Sequence, residues 1–256
     1  MMVITRATLS DLDAVVRLLS DASAWLRSRG LDQWPEGFAP PERVRPYIAC
    51  AEMWLVWDGE TPAATVRVTS EADAPGLWTP AERAELALHV SKLAIDRRYA
   101  GRGLGESVLR WVTDYASRLG YRWARLDAWR TNTGLHDYYL SRGWEHVRTV
   151  ETSERNSTAL FQRAALPDPE VRSMFSERHV SNGWHEAGTR VEVISGQHCG
   201  TGTITAIYAP YDQDVVRSLE ESGADNLPGY WVRLDGSRWP VLCYPADVRP
   251  LTRAAE

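Results

Sequence analysis

The turn Arg97-Arg98-Tyr99-Ala100-Gly101-Arg102-Gly103-Leu104-Gly105 follows directly on the apolar run Leu93-Ala94-Ile95 and leads into an amphipathic stretch. An apolar strand that passes through a basic, glycine-rich turn into a helix makes a cradle for phosphate. The first N–H groups of a helix lack partners inside it, the helix dipole adds positive potential, and glycines let the backbone close on phosphate oxygens. Arg97, Arg98 and Arg102 place charge around the same turn. The dinucleotide fingerprint G-x-G-x-x-G fails, because the sixth position counted from Gly101 is Glu106. A nucleoside-triphosphate loop, G-x-x-x-x-G-K-S/T, is also missing from the sequence.

The pattern that is present is Arg98-x-x-Gly101-x-Gly103, followed by Leu104-Gly105. Further along comes Asn132-Thr133-Gly134-Leu135-His136-Asp137-Tyr138-Tyr139-Leu140-Ser141-Arg142-Gly143-Trp144. The first resembles the acyl-CoA signature R/Q-x-x-G-x-G/A of the GNAT superfamily of N-acetyltransferases. The second is similar to that family's later motif, N-x-x-A/L/G-x-x-F/Y-Y-x-x-x-G-F/W. The resemblance covers residues 1–165 and leaves the last third of the chain outside it. It implies an enzyme with acetyl-CoA as cosubstrate, no metal, and a primary amine as acceptor.

The same resemblance assigns roles. The fourth strand of such folds bulges away from the fifth, so backbone groups of Leu93, Ala94 and Ile95 pair with pantetheine. Arg98, Gly101, Arg102, Gly103, Leu104 and Gly105 surround the pyrophosphate, and Asn132 contacts the pantetheine arm. Tyr139, four residues before Gly143, holds the place of the general acid, while Tyr138 packs beside it. His89, four residues before Leu93 and read as sharing its strand face, is one candidate base, suited by a pKa near neutrality. Asp127 is the other, directly or through water. The acceptor groove implied by the resemblance draws on Trp25, Gln33, Trp34, Trp129 and Trp78, an aromatic lining fit for a planar, apolar or cationic amine.

Three functions stay open at this point: acetyl transfer to a small-molecule amine, acetyl transfer to a protein or peptide amine, and a non-catalytic acyl-CoA sensor or adaptor. Tyr139 and Asn132 favour the enzymes, since a binding-only protein needs the phosphate turn but no proton donor.

The elements that must carry these residues follow from periodicity and turn chemistry. Val3–Ala7 reads as an edge strand. A helix beginning at Ser10 buries Leu12, Val15, Val16, Leu18 and Leu19 and ends at Gly30. A second helix falls near Pro41–Ala51. Met53–Asp58 and Ala63–Thr69 form a hairpin about Asp58-Gly59. After a loop at Glu71–Glu85 come strand Leu86–Ile95, helix Gly103–Leu119, strand Trp123–Trp129, helix Thr133–Arg142, and strands near Glu145–Val150 and Ala159–Arg163. The fold class is therefore α/β, a GNAT-type mixed sheet with helices on both faces over residues 1–166.

Leu166-Pro167-Asp168-Pro169 breaks the pattern, and residues 167–183 read as a short helix and linker. Residues 184–254 carry short strands at Gly188–Ile194, Thr203–Tyr208, Tyr230–Leu234, Val241–Tyr244 and Val248–Leu251, which suggest a small SH3-like or KOW-type barrel. Residues 1–165 hold 21 basic and 21 acidic side chains, and residues 166–256 hold 8 and 13, so the net charge of −5 sits in the tail. That balance argues against nucleic acid as a partner. No apolar run reaches the length of a membrane span, and the chain opens directly on structure, so neither a membrane nor a signal peptide is expected and a cytoplasmic location follows. Cys50, Cys199 and Cys243 are odd in number and widely spaced, which fits reduced thiols and no metal site. Lys92 is the only lysine, a mark of arginine-rich composition from which no function is drawn. Self-association into a homodimer stays open.

Overall fold

The computed structural model describes residues 1–178 except 32 and 51, and beyond them 188–193, 200–208, 229–236, 241–243 and 248–250. The chain divides near residue 180 into two compact units.

The first unit is built on β1 (Met2–Arg6), β2 (Met53–Asp58), β3 (Thr61–Thr69), β4 (Ala87–Ile95), β5 (Trp123–Trp129), β6 (Glu145–Thr149), β7 (Ser157–Ala164) and β8 (Phe175–Arg178). They form one sheet in the order β6-β7-β5-β4-β3-β2-β1-β8. The β4–β5 and β1–β8 pairs are parallel and the others antiparallel, so the sheet is mixed as expected. Gly59, at φ 60° in the left-handed region, makes the tight turn between β2 and β3 that the Asp58-Gly59 pair foretold.

Helices cover both faces. α1 (Leu12–Ser28) and α2 (Pro41–Ala49) lie on one, where Leu12, Val15, Leu18, Leu19, Val44 and Ile48 bury against Met53, Leu55 and Ala94. α4 (Leu104–Arg118) lies on the other, and its apolar stripe of Val108, Leu109, Val112 and Ala116 is fully enclosed. Trp111 and Tyr115 extend that stripe, with both rings edge-on to Trp54 of β2. α5 (Thr133–Leu140) ends at Gly143, whose φ of 75° sends the chain back so that Trp144 N–H bonds the Tyr139 carbonyl at 3.1 Å. The buried Trp144 ring then packs on Tyr139, which explains why the motif spaces Tyr, Gly and Trp as it does.

Three expectations change. β1 is no edge strand: β8 pairs with it in parallel from Met2↔Phe175 to Thr5↔Arg178. The segment 71–85 is not all loop, since Pro75–Leu77 forms a 3-10 turn and α3 (Pro80–Arg83) is capped by a Thr79–Glu82 box. Residues 167–178 hold the expected short helix but belong to the first unit rather than to a linker. α6 (Pro169–Met174) is capped by Asp168, buries Val171, and ties to α4 through Arg110–Asp168 at 2.8 Å and Arg172 on the fully enclosed Asp114 at 2.7 Å. Two prolines in four residues looked like a chain break, but Pro169 sits at the first turn of α6, where a missing N–H costs nothing.

In the second unit, β9 (Arg190–Val193), β10 (Gly200–Tyr208), β11 (Gly229–Leu234), β12 (Val241–Cys243) and β13 (Val248–Pro250) form an antiparallel sheet in the order β12-β11-β10-β9-β13. They fall where the short strands were expected. Gly202 admits no side chain, because a β-carbon there would lie 2.5 Å from the Arg233 carbonyl oxygen. The outer expected segments, 184–187 and 251–254, lie outside the described residues.

A chain ended at Leu166 loses the enclosed Val171 and Phe175, each worth about 1.5–3 kcal/mol on burial, and leaves β1 with an open edge. It should melt well below the full chain or fail to fold, whereas a chain ended at Val180 should keep a cooperative transition. Calorimetric scans of the two truncations check this, and equal midpoints would contradict the role given to α6 and β8.

Candidate active site

The site is made by two strands coming apart. β4 and β5 pair from Ala87↔Trp123 to Val90↔Leu126 and then stop, although β4 continues beside β3 to Ile95 and β5 beside β7 to Trp129. The register explains the parting. Ser91 faces Arg67 and Ala94 faces Thr65, so Lys92 and Leu93 together stand opposite Val66, which is a β-bulge with one extra residue in β4. Lys92 sits at φ 53°, the one non-glycine residue with positive φ among the described residues. The extra residue also reverses which way the side chains face. Leu88 and Val90 point to the α4 core; beyond the bulge Leu93 and Ile95 take that face, and Ala94 turns to the α1 core.

Into the opened seam runs a cleft of about 1270 Å³. One end is the glycine turn. Asp96 caps a 3-10 turn over Arg97–Tyr99, accepts the Arg98 N–H at 3.0 Å, and holds the Arg98 guanidinium at 2.7 Å. Those bonds, the side-chain bond from Arg98 foremost, hold the Asp96 carboxyl below its ordinary range. They also turn Arg98 away: neither Arg98 nor Arg102 lines the cleft, and Arg102 leans over the Tyr99 ring instead. The cation that does line it is Arg97, its guanidinium 4.0 Å from the centre of the Trp25 ring. Gly101 and Gly103 take φ of 74° and 75°. The first amide of α4 with a backbone bond is Ser107, to the Gly103 carbonyl at 3.0 Å. The N–H groups of Gly103, Leu104, Gly105 and Glu106 have no hydrogen-bond partner among the described residues, and Gly101, Gly103, Leu104 and Gly105 all line the cleft. Tyr138 lies across this helix start, its hydroxyl 3.3 Å from where a β-carbon on Gly105 would be.

The middle of the cleft is lined by Leu93, Ala94, Ile95, Asn132, Tyr139 and Asp127. Asn132 caps α5 by accepting the Leu135 N–H at 3.1 Å and donates to Gln33 Oε1 at 3.0 Å. An asparagine amide has two protons and two lone pairs, so one of each stays for a ligand. Tyr139 packs between Trp144 and Phe161, and its hydroxyl makes no hydrogen bond among the described residues. Burial pushes its pKa up, so the phenol keeps its proton. Asp127 is paired with Arg155 at 2.8 Å, yet burial outweighs that partner and raises its carboxyl above the ordinary value.

Trp25, Gln33, Trp34 and Trp129 all line the cleft. Trp34 stacks on Phe38 with centroids 4.5 Å apart. Trp78 does not line it: it is buried, with His89 edge-on and the Arg125 guanidinium 4.7 Å from its ring. His89 does not line the cleft either. The expectation that it shares a face with Leu93 assumed unbroken alternation, and the bulge at Lys92 ends that alternation. Burial, reinforced by Arg125, lowers its pKa to about 3, which leaves the ring too weak a base to take a proton from an amine.

Sequence reasoning missed Asp73, Lys92 and Tyr47 as lining residues. A lone lysine in an arginine-rich chain was the one available signal for Lys92. Among the described residues no group of three or more metal-ligating side chains occurs, and no helix is long and apolar enough to cross a membrane.

Residues 18–144 match the family model described as the acetyltransferase (GNAT) family. The uncharacterized N-acetyltransferase YesJ of Bacillus subtilis is 27% identical over 145 residues, which are 55% of this chain and 80% of that protein. A GNAT-family acetyltransferase structure from Listeria monocytogenes matches with a TM-score of 0.54 at 18% identity, over 64% of this chain and 94% of its own. A second, from Streptococcus agalactiae, matches at 0.53 and 18%, over 64% and 95%. These two likenesses concern the fold.

A His89 pKa below its unfolded value means that the unfolded chain binds more protons between pH about 3 and 6.5. His89 therefore contributes a loss of stability as pH falls through that window and nothing above it. His89→Gln should flatten the acid side of a stability-versus-pH curve, and the ring should show no titration near neutrality by NMR. A His89 ring that titrates near pH 6.5 would overturn its placement.

Proposed function

We propose that this chain, whose residues 18–144 match the acetyltransferase (GNAT) family model, is an N-acetyltransferase that moves an acetyl group from acetyl-CoA directly to the primary amine of a small molecule. The observation that carries this reading is that unpaired helix amides, an unpaired strand edge, a protonated tyrosine and a carboxylate line one cleft.

The residues fit the cosubstrate by its chemistry. Acetyl-CoA supplies the activated acetyl group as a thioester. The amides of Gly103 to Glu106, with Gly101 allowing close approach and Arg97 adding charge, suit a pyrophosphate. The β4 edge at Leu93–Ile95 has no strand neighbour on the β5 side and can pair with amide groups as another strand would. Asn132 offers its remaining donor and acceptor to the same arm.

Transfer needs a neutral amine, the two reactants in contact, and a proton for the leaving sulfur. Tyr139 donates its phenolic proton to that sulfur as charge develops there. Asp127 accepts the proton that the amine loses, directly or through water, and Arg155 offsets its charge. His89 is set aside, being half-buried, off the cleft and too weak a base at a pKa of about 3. Trp34 and Trp129 line the same cleft and give an aromatic surface that supports a compact amine as acceptor over a polypeptide, while Trp25 lies against Arg97 at the phosphate end. The SH3-like barrel reading of the second unit rests on its strand pattern, and no chemical step is given to it.

Tyr139→Phe keeps the ring and removes the donor, so turnover should fall by about 10²-fold with CoA affinity unchanged. Thiol release against a panel of amines measures this, and wild-type turnover would return the role to water. Activity should rise with pH through a pKa above that of an ordinary carboxylate, since Asp127 is raised by burial. That limb should vanish in Asp127→Asn and persist in His89→Gln; the reverse pattern would restore His89 as the base. Gly103→Val puts a β-branched residue at a φ of 75° beside the unpaired amides and should abolish CoA binding in calorimetry while circular dichroism stays native. Unchanged affinity in that variant would remove the phosphate site.

A further inference from the structure

We propose that Lys92 is a positioning residue whose ammonium, tied to Asp73 and Tyr47, holds the β4 bulge open for the thioester arm; the proposal rests on the acetyl-CoA reading above. The backbone at Lys92 occupies a region that L-residues with a β-carbon disfavour, and every other positive-φ residue described is glycine. Such a conformation persists only where surrounding contacts over-determine it. At this position the contacts come through the side chain.

Lys92 Nζ lies 3.4 Å from Asp73 Oδ2 and 4.5 Å from the centre of the Tyr47 ring, and the side chain is 11% exposed. Asp73 is also bonded by Arg67, which bonds Glu52 at 2.7 Å and sits 4.3 Å from the same Tyr47 ring. Two cations thus share one carboxylate and one aromatic ring. The network joins α2, β3, the loop after it and the bulge, which are far apart in sequence. Burial alone would raise the Asp73 carboxyl, but Lys92 and Arg67 bring it down to about 2; burial lowers the Lys92 ammonium in turn, and Asp73 opposes that fall.

Tyr47, Asp73 and Lys92 all line the cleft, next to the β4 edge that has lost its β5 partner. The bulge is what removes that partner. A side chain that fixes the bulge therefore sets where the unpaired N–H and C=O groups of Leu93 to Ile95 stand, and with them the bound arm. Asp73 keeps Arg67 when Lys92 is shortened or neutralised, so no buried charge is stranded by Lys92→Met.

The test is acetyl-CoA affinity and steady-state kinetics of Lys92→Met, Lys92→Gly and Lys92→Arg in the full chain. Lys92→Met should raise KM for acetyl-CoA about tenfold or more, as misplacement of a reactant does, with acceptor KM and melting temperature little changed. Lys92→Gly relieves the backbone but cuts the tie, so it should behave like Lys92→Met, while Lys92→Arg should recover most of the affinity. Wild-type acetyl-CoA KM in Lys92→Met, or in Lys92→Gly, would overturn the proposal while leaving the acetyl-CoA reading in place. A wild-type chain that binds no CoA in calorimetry would instead overturn that reading and this proposal together.

Discussion

One extra residue in β4 governs the rest of the first unit. A parallel pair of strands at the centre of a mixed sheet should stay hydrogen-bonded along its length, because unpaired backbone groups there have no cheap alternative. β4 and β5 nonetheless separate after Val90↔Leu126, and the bulge at Lys92 is where β4 turns off. The separation exposes backbone donors and acceptors in the interior of the sheet, opens the cleft between α1 and α5, and lets the α4 N-terminus face into it. Every feature of the proposed chemistry depends on that seam.

The surrounding packing keeps the seam rigid rather than merely open. On one face the α4 stripe with Trp54, Trp111 and Tyr115 anchors β2 to β4; on the other, α1 and α2 close over Met53, Leu55 and Ala94. Tyr99 donates to Asp58 at 3.0 Å and so ties the glycine turn to the end of β2. Asp96, held by Arg98 and by Arg17 at 3.3 Å, fixes the first residue of the turn. A turn pinned in this way at Asp96 and Tyr99 needs little reorganisation to receive the phosphate proposed for it.

How much of this was legible in the sequence differs by the range of the interaction involved. The glycine turn, the Asn132 cap and the Tyr139-Gly143-Trp144 spacing could be read because each is a local backbone requirement, satisfied within a few residues. Helix faces and the Asp58-Gly59 hairpin were readable for the same reason. The bulge was expected only through the family resemblance and its residue was not located, since a residue at φ 53° in mid-strand carries no marker when it is a lysine rather than a glycine. That one omission misdirected His89, because counting by twos across residues 89–93 gives the wrong face once a residue is inserted. The placement of Arg98 was not readable for a different reason: Asp96, two residues back, holds its guanidinium at 2.7 Å outside the cleft lining. The pairing of β1 with β8 and the docking of α6 on Asp114 are long-range contacts for which periodicity has no signal.

The central claim is that the β4–β5 seam and the α4 N-terminus together form the seat of acetyl-CoA. The most direct measurement is a crystal structure of the chain grown with CoA. It should place the pyrophosphate oxygens on the amides between Gly101 and Glu106, with pantetheine amides bonded to the backbone at Leu93–Ile95. CoA bound elsewhere, or β4 and β5 hydrogen-bonded past Val90↔Leu126, would contradict the account.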